Sequence, residues 1–230
     1  MYYPFYFDKT MLILLPALLI SIWAQAKISS TYNKYRNVRT RNGYTGEQVA
    51  RMMLNEAGLS FVNIEVVNTK LGDHYDPSQK VLRLSPEVYS GTSIASAGIA
   101  AHEVGHALQD KEAYQPLILR NSIVPIVNFG SSISWILFLV GIFMGSSLFL
   151  NLGILLFSGV VIFQLVTLPV EFNASKRAIN ILEGRCILYG DEVSGAKKVL
   201  GAAAMTYIAS ALMAIAQLLR LIAISNNNRD

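Results

Sequence analysis

The sequence contains little cysteine, little charge and little histidine. Cys186 is the single cysteine, which excludes an intrachain disulfide framework and is typical of a reducing compartment. Charged residues make up 15% of the 230 residues and hydrophobic residues 53%, whereas soluble domains carry about 25% charged residues. A disordered chain would need low hydrophobicity, and a soluble domain would need more polar surface. The composition therefore indicates a membrane protein.

Four apolar segments are each long enough to span a bilayer, which takes about 20 residues. The uncharged stretch from Asn121 to Val170 has room for two spans, with a turn near Gly145. The predicted spans are residues 5–26, 122–144, 148–170 and 199–221. Residues 27–120 then form a large connection after the first span, and residues 171–198 connect the third span to the fourth.

The basic residues predict the orientation. Residues 27–120 contain 11 Lys and Arg and residues 171–198 contain 5, whereas the turn between the second and third spans contains none. By the positive-inside rule, both connections face the cytoplasm and both termini face outside. A cysteine introduced beside Arg41 should then be labelled from the cytoplasmic side. Because these basic residues flank a span, we expect them to favour anionic lipid headgroups, and we expect no nucleic-acid partner.

Residues 27–120 are predicted to form a compact α+β unit. The pattern indicates a helix from Thr45, as N-cap, to a stop at Gly58, then strands near 64–67 and 80–85 that flank a turn-rich segment. Small and apolar residues at helical spacing predict a further helix over 93–111. The unit is too small for a large core of its own, so we expect it to lean on the membrane helices. The predicted fold class is an α+β membrane protein.

The helix over 93–111 contains the string His102-Glu103-Val104-Gly105-His106. Side chains at positions i and i+4 share one helix face, so both imidazoles can bind one metal ion. The intervening Glu103 can take a proton from a metal-activated water and later deliver it to the leaving amine. The string predicts a single Zn²⁺ ion per chain and hydrolysis of peptide bonds, with Glu103 as general base.

A catalytic zinc ion generally has three protein ligands, so one more is needed. His74 is the third histidine of the chain and lies in the turn-rich segment. Glu171 is the stronger candidate, because it is the first charged residue after the long uncharged stretch and opens a predicted helix over 169–182. A carboxylate at the edge of a membrane span is costly to place there, which favours a functional role such as metal binding. The residue types alone leave both candidates open.

Several segments together resemble the bacterial membrane neutral zinc metallopeptidases of the YugP-like family; they are residues 102–106, 168–175, 202–207 and 73–77 with 80–85. The resemblance implies a zincin-like catalytic unit of the gluzincin type, with His102, His106 and Glu171 as zinc ligands. It also implies a polypeptide substrate. The site is also similar to that of the CaaX prenyl peptidases, which carry an aspartate four residues after the ligand glutamate. Here that position is Ser175, so an orienting carboxylate would have to come from Glu183 or Asp191.

Stabilisation of the oxyanion needs a further polar group. The candidates are His74, Tyr207 and Arg185. His74 could equally be a turn residue bonded to its neighbours, and Tyr207 could simply be packing in an Ala-rich span. The segment 81–85 could be an edge strand that binds substrate by strand addition, or an ordinary sheet strand with Arg83 on its solvated face, and the two readings are compatible.

Three functional hypotheses follow from these residues. The first is a membrane-embedded zinc endopeptidase that cuts near the cytoplasmic surface. The second is a zinc-binding but non-hydrolytic regulatory or scaffold protein, for which Glu103 would be dispensable. The third, a transporter, is rejected because residues 121–170 and 199–219 contain neither acids nor histidines. The substrate, the cleavage preference, the regulation and the oligomeric state are left open.

Overall fold

A computed structural model describes residues 9–69 and 72–227 of the chain and shows a mostly helical protein with one three-stranded sheet. A short 3-10 helix, Lys9–Leu14, leads into the first α-helix. The elements that follow are α1 Leu15–Tyr35, α2 Gly46–Glu56, β1 Asn63–Val66, β2 His74–Asp76, β3 Val81–Leu84, α3 Pro86–Tyr89, α4 Ile94–Lys111, α5 Gln115–Met144, α6 Ser147–Gly184 and α7 Asp191–Asn227.

Four helices of the described chain are long and apolar enough to cross a membrane, as the sequence predicts. They are Lys9–Tyr35, α5, α6 and α7. Residues 5–8 of the first predicted span lie outside the described residues. The turn predicted near Gly145 is present, because α5 ends at Met144 and Gly145 has a φ of 62°, a conformation that favours glycine.

One prediction about α6 is wrong. The sequence predicts a separate helix over 169–182, but Pro169 lies inside a single helix that runs from Ser147 to Gly184. Proline is tolerated inside apolar membrane-type helices, where neighbouring groups compensate for the missing N–H. Glu171 is therefore carried on a long continuous helix and not at a helix start.

The chain divides into two compact units. The described part of the first unit comprises residues 9–24, 119–167 and 206–227, and it buries an apolar cluster around Phe138, Leu150 and Phe157. Gly141 lies against Leu150, whose backbone nitrogen would be 2.7 Å from an added Cβ. The small residue thus serves close packing within this unit, as small residues do where membrane helices touch.

The second unit comprises Gln25–Ile118 and Leu168–Met205 and carries the sheet, α2 and α4. Its core includes Leu54, Val62 and Leu82, none of which has any exposed surface. The predicted caps of α2 are confirmed: Thr45 and Gln48 form a capping box, and Gly58 follows the helix with a φ of 69°.

The sheet corrects two predictions from the sequence. The turn-rich segment contains a short strand, β2, which pairs antiparallel with β3, while β1 pairs parallel with the other side of β3. The strand order β1-β3-β2 makes β3 central. The prediction that segment 81–85 is a free edge for substrate is therefore wrong, since its backbone groups are already used on both sides.

Candidate metal centre

Helix α4 places the two histidines of the HExxH string on one buried face. Ser93 caps its N-terminus by accepting a hydrogen bond from the Ser96 backbone nitrogen. Gly105 lies directly against α6, where an added Cβ would be 2.6 Å from the carbonyl oxygen of Ala174. The absence of a side chain at Gly105 therefore allows α4 and α6 to approach closely enough for their side chains to share one site.

His102, His106 and Glu171 converge at this contact. The Glu171 Oε2 atom lies 3.2 Å from His102 Nε2 and 3.6 Å from His106 Nε2. The ligand atoms of all three side chains lie within 4.8 Å of one another, so the group could hold a metal ion. Tetrahedral zinc with ligands at about 2.0–2.1 Å separates neighbouring ligand atoms by about 3.3–3.4 Å. Two nitrogens and a carboxylate at these spacings fit zinc.

A buried glutamine fixes which nitrogen of His106 faces the site. The Gln109 Nε2 group donates to the carbonyl oxygen of Val170 at 2.8 Å, and the Gln109 Oε1 atom lies 3.0 Å from His106 Nδ1. Because a carbonyl can only accept, the amide must present its oxygen to the ring, and Nδ1 must carry the proton. When the ring of His106 is neutral, Nε2 therefore carries the lone pair on the side of Glu171, which is the state that metal binding requires.

Ser175 holds His102 in the corresponding way. Its Oγ atom lies 3.1 Å from His102 Nδ1, so the hydroxyl oxygen can accept the Nδ1 proton and leave Nε2 free for a metal. A serine hydroxyl therefore occupies the place at which the resemblance to prenyl peptidases predicts a carboxylate. The two acids considered for that role pair elsewhere, Glu183 with Lys197 and Asp191 with Arg41.

The support of His106 continues along α6. Gln109 Nε2 also donates to Asn173 Oδ1 at 3.0 Å, and the same oxygen accepts from Arg177 Nε at 2.7 Å. Arg177 in turn forms a hydrogen-bonded ion pair with Glu112, and the hydrogen bond from Arg177 lowers the pKa of Glu112. The chain of contacts ties the C-terminal end of α4 to α6, so the ligand geometry depends on both helices together.

The electrostatics of the site favour a positive charge. Burial alone would lower the pKa of His106, but the hydrogen bond to Glu171 and the negative charges of Glu103 and Glu171 together raise that pKa. The Glu103 side chain is largely buried, with 8% of the residue exposed. Within residues 9–69 and 72–227, no hydrogen bond or ion pair engages its carboxylate, which leaves both oxygens available for proton transfer.

Two other predicted site residues, His74 and Arg185, make contacts outside this group. His74 is exposed on β2, where its Nδ1 lies 2.7 Å from the carbonyl oxygen of Gly72 and its Nε2 lies beside Arg83. Of the two candidates for a third ligand, Glu171 joins the histidines and His74 does not. Arg185 pairs with Glu56, and Tyr207 lies half-buried on α7 in the other compact unit.

Gln109 belongs to the site but is not among the residues predicted from the sequence. It has no exposed surface although glutamine is usually a surface residue. A signal was present, because Gln109 follows His106 by three positions and so belongs to the same face of α4. A polar residue on the buried side of a helix that carries metal ligands is a candidate for orienting one of them.

Comparison with known proteins identifies the family. Residues 10–226 match the family model described as "Putative neutral zinc metallopeptidase". The "Putative membrane protease YugP" of Bacillus subtilis (strain 168) is 49% identical over 214 residues, which cover 93% of this chain and 95% of that protein. No solved structure matches the chain. The match over nearly the whole sequence shows that this chain is a YugP-like member of the neutral zinc metallopeptidase family, with a multi-pass membrane architecture.

Proposed function

We propose that the protein is a zinc-dependent endopeptidase of the membrane that hydrolyses peptide bonds of polypeptides near the cytoplasmic surface. The observation that carries the proposal is the convergence of His102, His106 and Glu171, beside the uncommitted carboxylate of Glu103. The membership in a zinc peptidase family supports the same reading. The cytoplasmic orientation rests on the distribution of basic residues.

Each residue of the centre has a distinct role in this proposal. His102, His106 and Glu171 would hold the zinc ion through two nitrogens and one oxygen. Bound zinc supplies Lewis acidity, which polarises the substrate carbonyl and makes water acidic near neutral pH. The Glu103 carboxylate takes a proton from the attacking water and transfers it to the amine nitrogen as the peptide C–N bond breaks. Ser175 and Gln109 keep the two imidazoles in the ligand tautomer.

The peptidase activity can be tested with the purified protein in detergent and an unstructured polypeptide. We expect cleavage that stops when a strong chelator removes the metal and returns when zinc is added back. Products should be internal fragments, as an endopeptidase gives, which mass spectrometry distinguishes from stepwise trimming. Cleavage that a chelator leaves unchanged would contradict a metal-dependent mechanism.

Gln109 should control zinc affinity. The substitution Gln109→Met keeps the approximate length of the side chain but removes the acceptor for His106 Nδ1 and the donor to Val170. Loss of such an orienting partner typically weakens metal binding about 10- to 100-fold. A competition titration with a chromogenic chelator measures the change in zinc affinity. Gln115→Met, at an exposed glutamine just beyond α4, is the matched control; equal zinc affinity in both variants would show that Gln109 does not orient His106.

A further inference from the structure

An open cavity of about 380 Å³ lies between α6 and α7 at the surface of the second unit. This volume falls in the range of about 300–1,000 Å³ that small-molecule and side-chain pockets occupy. Apolar side chains form most of its lining, among them Phe172, Leu200 and Met205. The cavity is therefore suited to an apolar group.

Two lining residues connect this cavity directly to the metal centre. Phe172 follows the ligand Glu171 in the chain, and its exposed fraction is 43%. Ser175 lines the cavity and lies 3.1 Å from His102 Nδ1 through its Oγ atom. A single imidazole ring thus separates the cavity wall from the donor atom of His102. A substrate side chain bound in this cavity would therefore belong to a residue only a few positions away from the peptide bond held at the metal centre.

The charges of the lining also restrict what can enter. Lys176 and Lys197 are the two ionisable side chains among the lining residues, and both are positive at neutral pH. Lys197 is paired with Glu183 at 3.1 Å, whereas Lys176 has no carboxylate partner in the part of the chain that the structure describes. An ammonium or guanidinium group of a substrate would meet like charge.

We propose that this cavity receives an apolar side chain of the polypeptide substrate, of the size of Leu, Met or Phe, close to the scissile bond. Basic side chains are disfavoured there by Lys176. The inference rests on the proposed function, because it assigns the cavity to the substrate of the same centre. It predicts a protease that selects apolar residues near the cleavage point and leaves the rest of the substrate sequence largely free.

Gly201 offers a way to fill the cavity without disturbing the core. It lines the cavity, and a Cβ added there meets no atom within 4 Å. The variant Gly201→Leu should therefore place its side chain in the cavity and leave the helices where they are. Gly184→Leu is the matched control, since Gly184 also has nothing within 4 Å of an added Cβ but does not line the cavity.

The test uses photo-cross-linking to the Glu103→Gln full-length protein in detergent, which separates binding from cleavage. The probe is an unstructured peptide in which one leucine is replaced by photo-leucine. We expect mass spectrometry to find cross-links on residues 172–180 and 197–205. Gly201→Leu should reduce their yield on the order of tenfold, the scale on which an apolar pocket discriminates side chains. Gly184→Leu should leave it unchanged.

Competitors and cleavage assays separate the outcomes. An excess of leucine-containing peptide should suppress the cross-links, and the matched lysine-containing peptide should not. Cross-links at other residues, or suppression by added lipid and not by peptide, would overturn the inference. If the otherwise unsubstituted protein cleaves leucine peptides and Gly201→Leu keeps the same preference for leucine over lysine, the cavity assignment fails while the peptidase proposal stands. If cross-linking behaves as expected but no peptide is cleaved, the peptidase proposal fails and the cavity remains a peptide-binding site.

Discussion

The Glu103→Gln protein should retain a full complement of zinc but cleave polypeptides at least about 100-fold more slowly than the parent protein. Glutamine has nearly the same shape as glutamate, so the packing around this largely buried side chain should be kept. The amide cannot accept a proton from water at neutral pH, which removes the general base and leaves the ligand set intact. The measurement is the initial rate of cleavage at matched zinc content.

The control for this prediction is Glu56→Gln, which makes the same chemical change at an exposed ion pair with Arg185. Surface ion pairs contribute about 0–1 kcal/mol, so this variant should cleave at the parent rate. Equal rates for Glu103→Gln and the parent protein would show that Glu103 is not the base. Zinc binding without cleavage in any form of the protein would favour the non-hydrolytic regulatory or scaffold hypothesis.

The Gly105→Ala substitution should damage the metal centre although it changes no ligand. An alanine Cβ at this position would lie 2.6 Å from the Ala174 carbonyl oxygen and 3.1 Å from the Ala174 Cα. These are backbone atoms of α6, so the helices must separate to admit the methyl group. Overpacking of this kind costs about 1–3 kcal/mol. Separation also moves Glu171 away from the histidines, so we expect a lower unfolding midpoint in detergent and a lower zinc content.

Gly98→Ala on the same helix is the matched control. Gly98 is also buried, but the nearest atom to an added Cβ is the Ala196 Cβ at 3.6 Å, an ordinary contact. Alanine is favoured over glycine inside a helix by about 1 kcal/mol. Helix propensity therefore predicts that alanine stabilises the protein at both positions, whereas the contact with Ala174 predicts that alanine destabilises it at Gly105. A Gly105→Ala protein as stable and as rich in zinc as the Gly98→Ala protein would contradict the close packing of α4 on α6.

The pairing of His102 with His106 and the candidacy of Glu171 could be anticipated from local rules, whereas the meeting of Glu171 with the two histidines was implied only by the family resemblance. The spacing of the histidines is a property of one helix, and the position of Glu171 follows from where the long uncharged stretch ends. The four candidate membrane helices follow from composition for the same reason, since a span must be apolar over about 20 residues. Such features need no knowledge of which elements pack together.

The partners of the histidines could not be derived in this way. Ser175 reaches His102 only because Gly105 lets α4 and α6 touch, and the same contact gives Gln109 its partners Val170 and Asn173; no local pattern states that contact. The central position of β3 depends likewise on β2, a strand of three residues in a segment with strong turn signals. Tertiary pairing overrides local preference at such short elements. The continuity of α6 through Pro169 was also missed, because proline usually ends a helix in a soluble chain but is tolerated inside an apolar membrane helix.

The zinc content of the Glu171→Ala protein tests the central claim most directly, because Glu171 is the proposed ligand on α6, whereas the other two proposed ligands lie on α4. Elemental analysis after purification without added metal should find one zinc ion per chain in the parent protein and in Glu183→Ala, an exposed glutamate further along the same helix. Glu171→Ala should retain little zinc, because two imidazoles alone leave the site short of the three protein ligands typical of catalytic zinc. Full zinc content in Glu171→Ala would contradict a centre formed by His102, His106 and Glu171.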